Sequence, residues 1–369
     1  QLTNCIFASK SPLEYLKLNF YTTVKSDDND YKLIAELKNY SLANRKLNGV
    51  VESAGKISFK DGKISSAGKI KAQNATVDSY LIRNFSVDFD YKDEVIYIKE
   101  LKVDNIIFAV VNFNLNNKAI SGNISVNKFN LTEIVKEKLS GEISADGEIS
   151  GNIKNPVIKF RCSMNNGVYN NLPVEIRSTG KWLLRDLVAA GELMLSKNEI
   201  GKFTLNIDNL FSKEPEIKSN IVFKELTMDT FAKTIENFTS LPSSPTWLIQ
   251  TKSINAQVTA RGEITNPEII LNITATDISY SGPILPARIS SAELVAKFTQ
   301  GLKQIKIDKF KLDSPGQTIL LVSNKIDISN PDKGHFDTAV EFKNYKIGPM
   351  RLFGKTSFVG NWNSEEKIF

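Results

Sequence analysis

Apolar and polar residues alternate with a period of two through almost the whole chain. In Ser86-Val87-Asp88-Phe89-Asp90-Tyr91 the apolar side chains fall on every second position, Lys92-Asp93-Glu94 makes a turn, and Ile96-Tyr97-Ile98 resumes the pattern. The same alternation runs through Phe203 to Asp208, Ile305 to Asp308 and Phe310 to Asp313. Side chains of a strand point to opposite faces in turn, so this pattern predicts half-buried antiparallel strands joined by short turns. Abundant Val, Ile, Thr, Phe and Tyr suit a pleated surface. At one strand every 8 to 12 residues, roughly thirty strands are expected. An open sheet rarely exceeds about ten strands without curling or splitting, and thirty strands at about 4.8 Å each would extend on the order of 140 Å. The expected fold is therefore all-β: a long, twisted antiparallel sheet that rolls into a trough with an apolar interior or breaks into several sandwiches.

Only two stretches carry helical spacing. Leu131, Ile134, Val135 and Leu139 lie on one helical face behind Thr132, and Phe231, Ile235 and Phe238 do so behind Asp229. Two short helices are predicted. Each precedes related sequence: Gly151-Asn152-Ile153-Lys154-Asn155-Pro156 matches Gly262-Glu263-Ile264-Thr265-Asn266-Pro267 at an offset of 111 residues, and the offset carries Tyr169 onto Tyr280. The chain thus contains at least two copies of one unit, with divisions expected at 1–127, 128–223 and 224–369.

The repeat sorts residues onto faces. After the Asn-Pro turn, Ile158, Phe160, Cys162 and Met164 alternate in one copy, and Ile269, Leu271, Ile273 and Ala275 in the other. Both sets are wholly apolar, so Cys162 behaves as a small hydrophobe. A second match aligns Ile98, Leu101 and Val103 with Ile307, Phe310 and Leu312, each followed by Asp. These fourteen residues are the expected lining of an apolar face.

Several kinds of chemistry are disfavoured. Two cysteines, Cys5 and Cys162, supply neither a metal cage nor a disulfide framework, although one bridge between them remains open. The single histidine, His335, stands in what reads as a solvated loop, and no carboxylate sits inside an apolar alternation. No enzyme and no cofactor are expected. A net charge of +6 suggests nucleic acid only superficially, because the lysines are scattered singly beside acidic residues as on the wet face of a strand. Gly348 to Thr356 spaces its glycines wrongly for a phosphate loop. Seven Asn-x-Ser/Thr sequons, Asn39 and Asn74 among them, are what a chain rich in Asn, Ser and Thr produces by accident. The longest uninterrupted apolar run, Ile106 to Val111, is too short for a helical membrane span.

The order of short helix, Gly141-Glu142-Ile143 and Gly147-Glu148-Ile149 strands, Gly-x-Ile-x-Asn-Pro, and further alternating strands resembles the AsmA-like and TamB family of bacterial envelope proteins. Gly49-Val50, Asp61-Gly62-Lys63-Ile64 and Gly68-Lys69-Ile70 have the same character, and the likeness covers residues 45 to 360. The resemblance implies a taco-like sheet with an apolar groove that passes phospholipids between inner and outer membranes across the Gram-negative periplasm. It also implies an inner-membrane anchor and membrane contacts through segments outside this chain, phospholipid acyl chains as cargo, and an outer-membrane β-barrel protein as a partner. Two other readings remain: a chaperone that assembles outer-membrane barrels by β-augmentation, and a structural or adhesive repeat protein whose apolar faces seal one another.

Overall fold

The computed structural model describes residues 5–8, 15–23, 28–42, 45–78, 80–133, 139–169, 172–195, 199–210, 212–239, 249–281, 288–299, 303–330, 333–347 and 349–363. Its first strands are β1 (Cys5–Ala8), β2 (Tyr15–Thr23), β3 (Asp28–Leu42), β4 (Arg45–Lys60), β5 (Lys63–Val77), β6 (Tyr80–Lys92), β7 (Val95–Val103), β8 (Ile107–Asn114), β9 (Ile120–Asn130), β10 (Leu139–Asn152) and β11 (Asn155–Tyr169). There follow β12 (Leu172–Leu183), β13 (Asp186–Leu195), β14 (Glu199–Asp208), β15 (Glu216–Leu226), helix α1 (Met228–Thr239), the two-residue β16 (Ile249–Gln250), β17 (Ser253–Glu263) and β18 (Glu268–Tyr280). The last are β19 (Arg288–Thr299), β20 (Gln304–Ser314), β21 (Gln317–Asn330), β22 (Lys333–Ile347) and β23 (Met350–Asn363).

All belong to one 23-stranded antiparallel sheet that does not close into a barrel. The strands are fewer than thirty because they are longer than the alternation alone suggested, up to 16 residues in β4. Two-residue turns such as Asp61-Gly62, with φ of 50° and 73°, leave little chain outside the ladder. Of the two expected helices, α1 is present. The other is a 3-10 turn at Leu131–Glu133, and residues 134–138 of that prediction lie outside the described residues. His335 stands in β22 rather than in a loop, opposite Asn361, whose Oδ1 is 2.9 Å from its Nδ1.

The chain forms two compact units, one of Gln1–Asn130, Glu142–Cys162 and Lys181–Leu184, the other of the remainder. In the first, β1 through β10 pair each with its sequence neighbour. One lateral row across that meander reads Phe20, Leu33, Ser53, Ile70, Val87, Leu101, Ala109, Ile124 and Gly147. In the second unit, β13 to β23 repeat the arrangement, with β15 passing over β16 to pair with β17. A row there reads Ala260, Ile269, Phe298, Ile305, Ile326 and Phe336. Each unit therefore carries a nearly continuous apolar face. The opposite face is tied by cross-strand ion pairs such as Lys69–Asp88 at 3.1 Å, Lys309–Glu293 at 2.6 Å and Arg261–Glu268 at 2.6 Å. These pairs account for the scattered lysines, and each contributes at most about 1 kcal/mol.

The two sequence copies share backbone detail. Gly151 and Gly262 adopt φ of 103° and 99°, and Asn166 and Asp277 both adopt 52°. In each copy the bulged end of the strand before the helical segment gives a backbone N–H to a side chain at the 111-residue offset: Lys128 to Ser144 Oγ and Glu225 to Asn255 Oδ1, both at 3.2 Å. A bulge inserts one residue and leaves an N–H outside the ladder, which needs an acceptor. The left-handed conformation favours Asn, and this is the role of Asn39 (φ 48°) and Asn74 (φ 49°), both of which begin sequons. Asn39 donates its N–H to Asn48 Oδ1 at 2.7 Å, and Asn48 Nδ2 donates to Thr76 Oγ1 at 3.1 Å. Replacing Asn48 by Ala should lower the unfolding free energy by about 1–2 kcal/mol, and Asn48→Asp should recover much of it by keeping the acceptor. Equal urea midpoints for Asn48→Ala and the parent protein would show that the bulge needs no side-chain acceptor.

Candidate functional site

The apolar face is the feature that most needs a partner. Of the fourteen residues expected to line it, Ile98, Leu101 and Val103 lie on β7, Ile158, Phe160, Cys162 and Met164 on β11, Ile269, Leu271, Ile273 and Ala275 on β18, and Ile307, Phe310 and Leu312 on β20. The β18 and β20 sets form one patch, because β19 threads Ala292, Leu294 and Ala296 between them: Ile273 faces Leu294, which faces Phe310. In the first unit Leu101 faces Ala109 and Ile98 faces Val111. Ile158 packs over Gly147 beside Ile124, where any Cβ on Gly147 would press on both isoleucines.

Burial decides what kind of face this is. Only Met164, Ile273 and Leu312 of the fourteen are buried, and the other eleven are half-buried. Among the described residues, α1 is the only element of more than one turn outside the sheet, so no second sheet covers the face. The apolar stripe is thus packed sideways, strand to strand, and left open above.

It is locally buried in the second unit. Ile278, Ile289 and Leu312 are buried together, with Ile249, Ala275, Ala292, Phe310 and Ile319 packed against them. A small recess beside this cluster is lined by Ile289, Leu312, Ser314, Gln317, Thr318, Ile319 and Tyr345. Burial pushes the Tyr345 hydroxyl up, and nearby Tyr280 adds to the effect, so Tyr345 stays neutral. A bulge between Phe342 and Tyr345 adds a residue to β22 at this edge.

Sequence alternation missed Ile278, Ile289 and Tyr345, because the added residue of a bulge moves the buried positions onto the other parity. The available signal was Asp277 at the offset of Asn166, and Asn344 before Tyr345. Polar groups on the face are satisfied. Ser323 is fully buried and donates to the Asp337 carbonyl at 2.7 Å, while Thr338 donates to Ser323 Oγ at 3.2 Å.

On the opposite face near the recess, Asp313 is a structural anion. The Lys311 ammonium, the Thr318 hydroxyl at 2.9 Å and the Ser291 hydroxyl at 3.4 Å all donate to it, and they hold its carboxyl below the usual aspartate range against the opposing effect of desolvation. A depressed folded-state value adds stability above the unfolded pKa of about 3.9 and forfeits it as pH falls through the folded value. The parent protein should therefore be more stable than Asp313→Asn at pH 6, and the gap should shrink as pH falls below the unfolded pKa of about 3.9 and through the lower folded value. A gap that is constant with pH in chemical denaturation would remove the charge from this explanation.

No family model, characterised protein or solved structure matches this chain. Among the described residues, no helix is long and apolar enough to cross a membrane.

Proposed function

We propose that this chain is a non-enzymatic lipid conductor, in which phospholipid acyl chains lie on the apolar face and move along it from strand to strand. The observation that carries the reading is the half-burial of that face across consecutive strands of each unit, with no protein layer above it. Water bears a cost of about 25 cal/mol for each Å² of such surface, and an acyl chain that covers it gains about 0.8 kcal/mol for each methylene buried. A lateral row of near-equivalent Ile, Leu, Val and Phe side chains offers sites of similar depth, which favours sliding over tight capture. The likeness to the AsmA-like and TamB family supports placing the protein in the envelope of a Gram-negative bacterium, in transport between its two membranes.

A second reading draws on β23, whose pairing among the described residues is with β22 alone and whose Met350, Phe353 and Val359 are largely exposed. An edge of that kind can accept a client strand by β-augmentation. Lipid delivery separates the two readings. In a transfer assay with a fluorescent phospholipid, Leu271→Asp places a charge on the open stripe and should cut lipid uptake at least tenfold, with the unfolding midpoint held within a few degrees. Ile273→Asp, one pair along but buried, should instead cost about 3 kcal/mol or more of stability. Full lipid uptake by Leu271→Asp would overturn the conductor and leave the strand edge as the functional feature.

A further inference from the structure

Hairpin tips are normally polar, because Gly, Asn, Asp and Ser suit the turn conformations and the backbone there meets water. On one rim of the first unit they are not. Phe59 and Ile64 face each other at the end of the β4–β5 hairpin and are 53% and 51% exposed; Leu115 in the β8–β9 turn is 41% exposed, and Ile153 in the β10–β11 turn is 47% exposed. Each lies on the alternation of its strand's apolar positions: Phe59 follows Ile57, Leu115 follows Val111 and Phe113, and Ile153 follows Ala145 and Ile149. The apolar face therefore runs out to the rim at the β4–β5, β8–β9 and β10–β11 tips, while the β6–β7 tip of Lys92, Asp93 and Glu94 is polar.

The tips are also held in a line. Lys63 Nζ reaches Asp93 of the β6–β7 turn at 3.5 Å. Leu115 donates its N–H to the Glu94 carbonyl at 2.8 Å, and Ile153 donates its N–H to the Lys118 carbonyl at 2.9 Å. Asn152 Nδ2 adds a bond to the Asn117 carbonyl at 3.0 Å. The β6–β7 tip of Lys92, Asp93 and Glu94 stands between them, so Phe59 and Ile64 lie about 19 Å from Leu115, and Leu115 about 10 Å from Ile153; the Leu115 and Ile153 backbones are tied to the neighbouring turns. Lys60, Lys63, Lys92, Lys118 and Lys154 flank them against Asp61, Asp93 and Glu94, which leaves the rim cationic. The other rim of the unit is built differently. Asp78 accepts from the Lys46 N–H and Arg45, and Asp104 accepts from the Asn84 N–H, so carboxylates close its turns even where Tyr80 and Leu81 are exposed beside them.

We propose that the rim bearing Phe59, Ile64, Leu115 and Ile153 docks on an anionic bilayer surface, with these side chains in the headgroup–acyl boundary and the lysines among the headgroups. Large apolar side chains with flanking lysines suit that boundary, where both contributions act together. Resting on the lipid-conductor reading, the rim would be the mouth through which an acyl chain passes from bilayer to face.

The test is flotation of the full chain with vesicles of phosphatidylcholine alone and of phosphatidylcholine with about three-tenths phosphatidylglycerol. The parent should bind the anionic vesicles, and binding should weaken several-fold in high salt. Leu115→Ser with Ile153→Ser should reduce binding about tenfold, and so should Lys118→Glu with Lys154→Glu, while circular dichroism and the thermal midpoint stay those of the parent. The serine variant should still take up a short-chain fluorescent phospholipid presented in detergent, which reads the face and not the rim. Undiminished vesicle binding by both variants, or a parent that binds neither kind of vesicle, would overturn the docking rim; loss of detergent-presented uptake by Leu271→Asp alone would still support the conductor.

Discussion

An apolar face with no second layer is the constraint on which the rest of this structure depends. Antiparallel pairing of sequence neighbours satisfies the backbone completely and does so with local turns, which explains a chain that can add strand after strand without a crossover. It does nothing for the side chains on the inner face. Those are packed by their lateral neighbours, such as Leu101 between Val87 and Ala109, and many of them, Leu101 included, remain half-buried. A β-sandwich solves this with a facing sheet and a barrel solves it by closure. Here neither solution is present, so the surface is stable in water only to the extent that lateral packing and the ion-paired outer face outweigh its exposure, or that something apolar lies upon it.

Bulges give the sheet its shape at one edge. They recur near strand ends, at Asn39, Asn74, Lys128, Glu225 and Asn344, and an added residue in a strand bends it locally. The orphaned N–H groups are collected by Asn48, Ser144 and Asn255 from the adjacent strand. A polar residue that looks accidental in the sequence is thus the acceptor that permits the bend. In the second unit Ile278, Ile289 and Leu312 are buried together, and Tyr345 is buried as well.

The fold class was legible because period two is a direct image of the pleat: every residue set read from Ile98, Ile158, Ile269 and Ile307 forward lies on strands, and the β18 and β20 sets meet across β19. What was illegible follows from the same rule. Alternation cannot count a bulge, so Ile278 and Ile289 escaped, and the strands proved longer and fewer than the spacing of polar residues implied. A helical pattern in Leu131 to Leu139 yielded only a 3-10 turn in its described part, since a short segment takes its conformation from the strands it joins. Whether an apolar stripe is a sealed core or an open surface is not written in its alternation at all. It depends on what lies above it, and the half-burial of residues such as Leu271 and Phe310 supplies that information.

The most direct measurement is native mass spectrometry of the full chain released gently from lipid-containing extracts, with the bound species identified after solvent extraction. The account predicts one or more phospholipids carried by each chain, displaced when the apolar face is crowded by detergent. A chain that flies free of lipid, together with an apolar face that excludes a hydrophobic dye in solution, would contradict it.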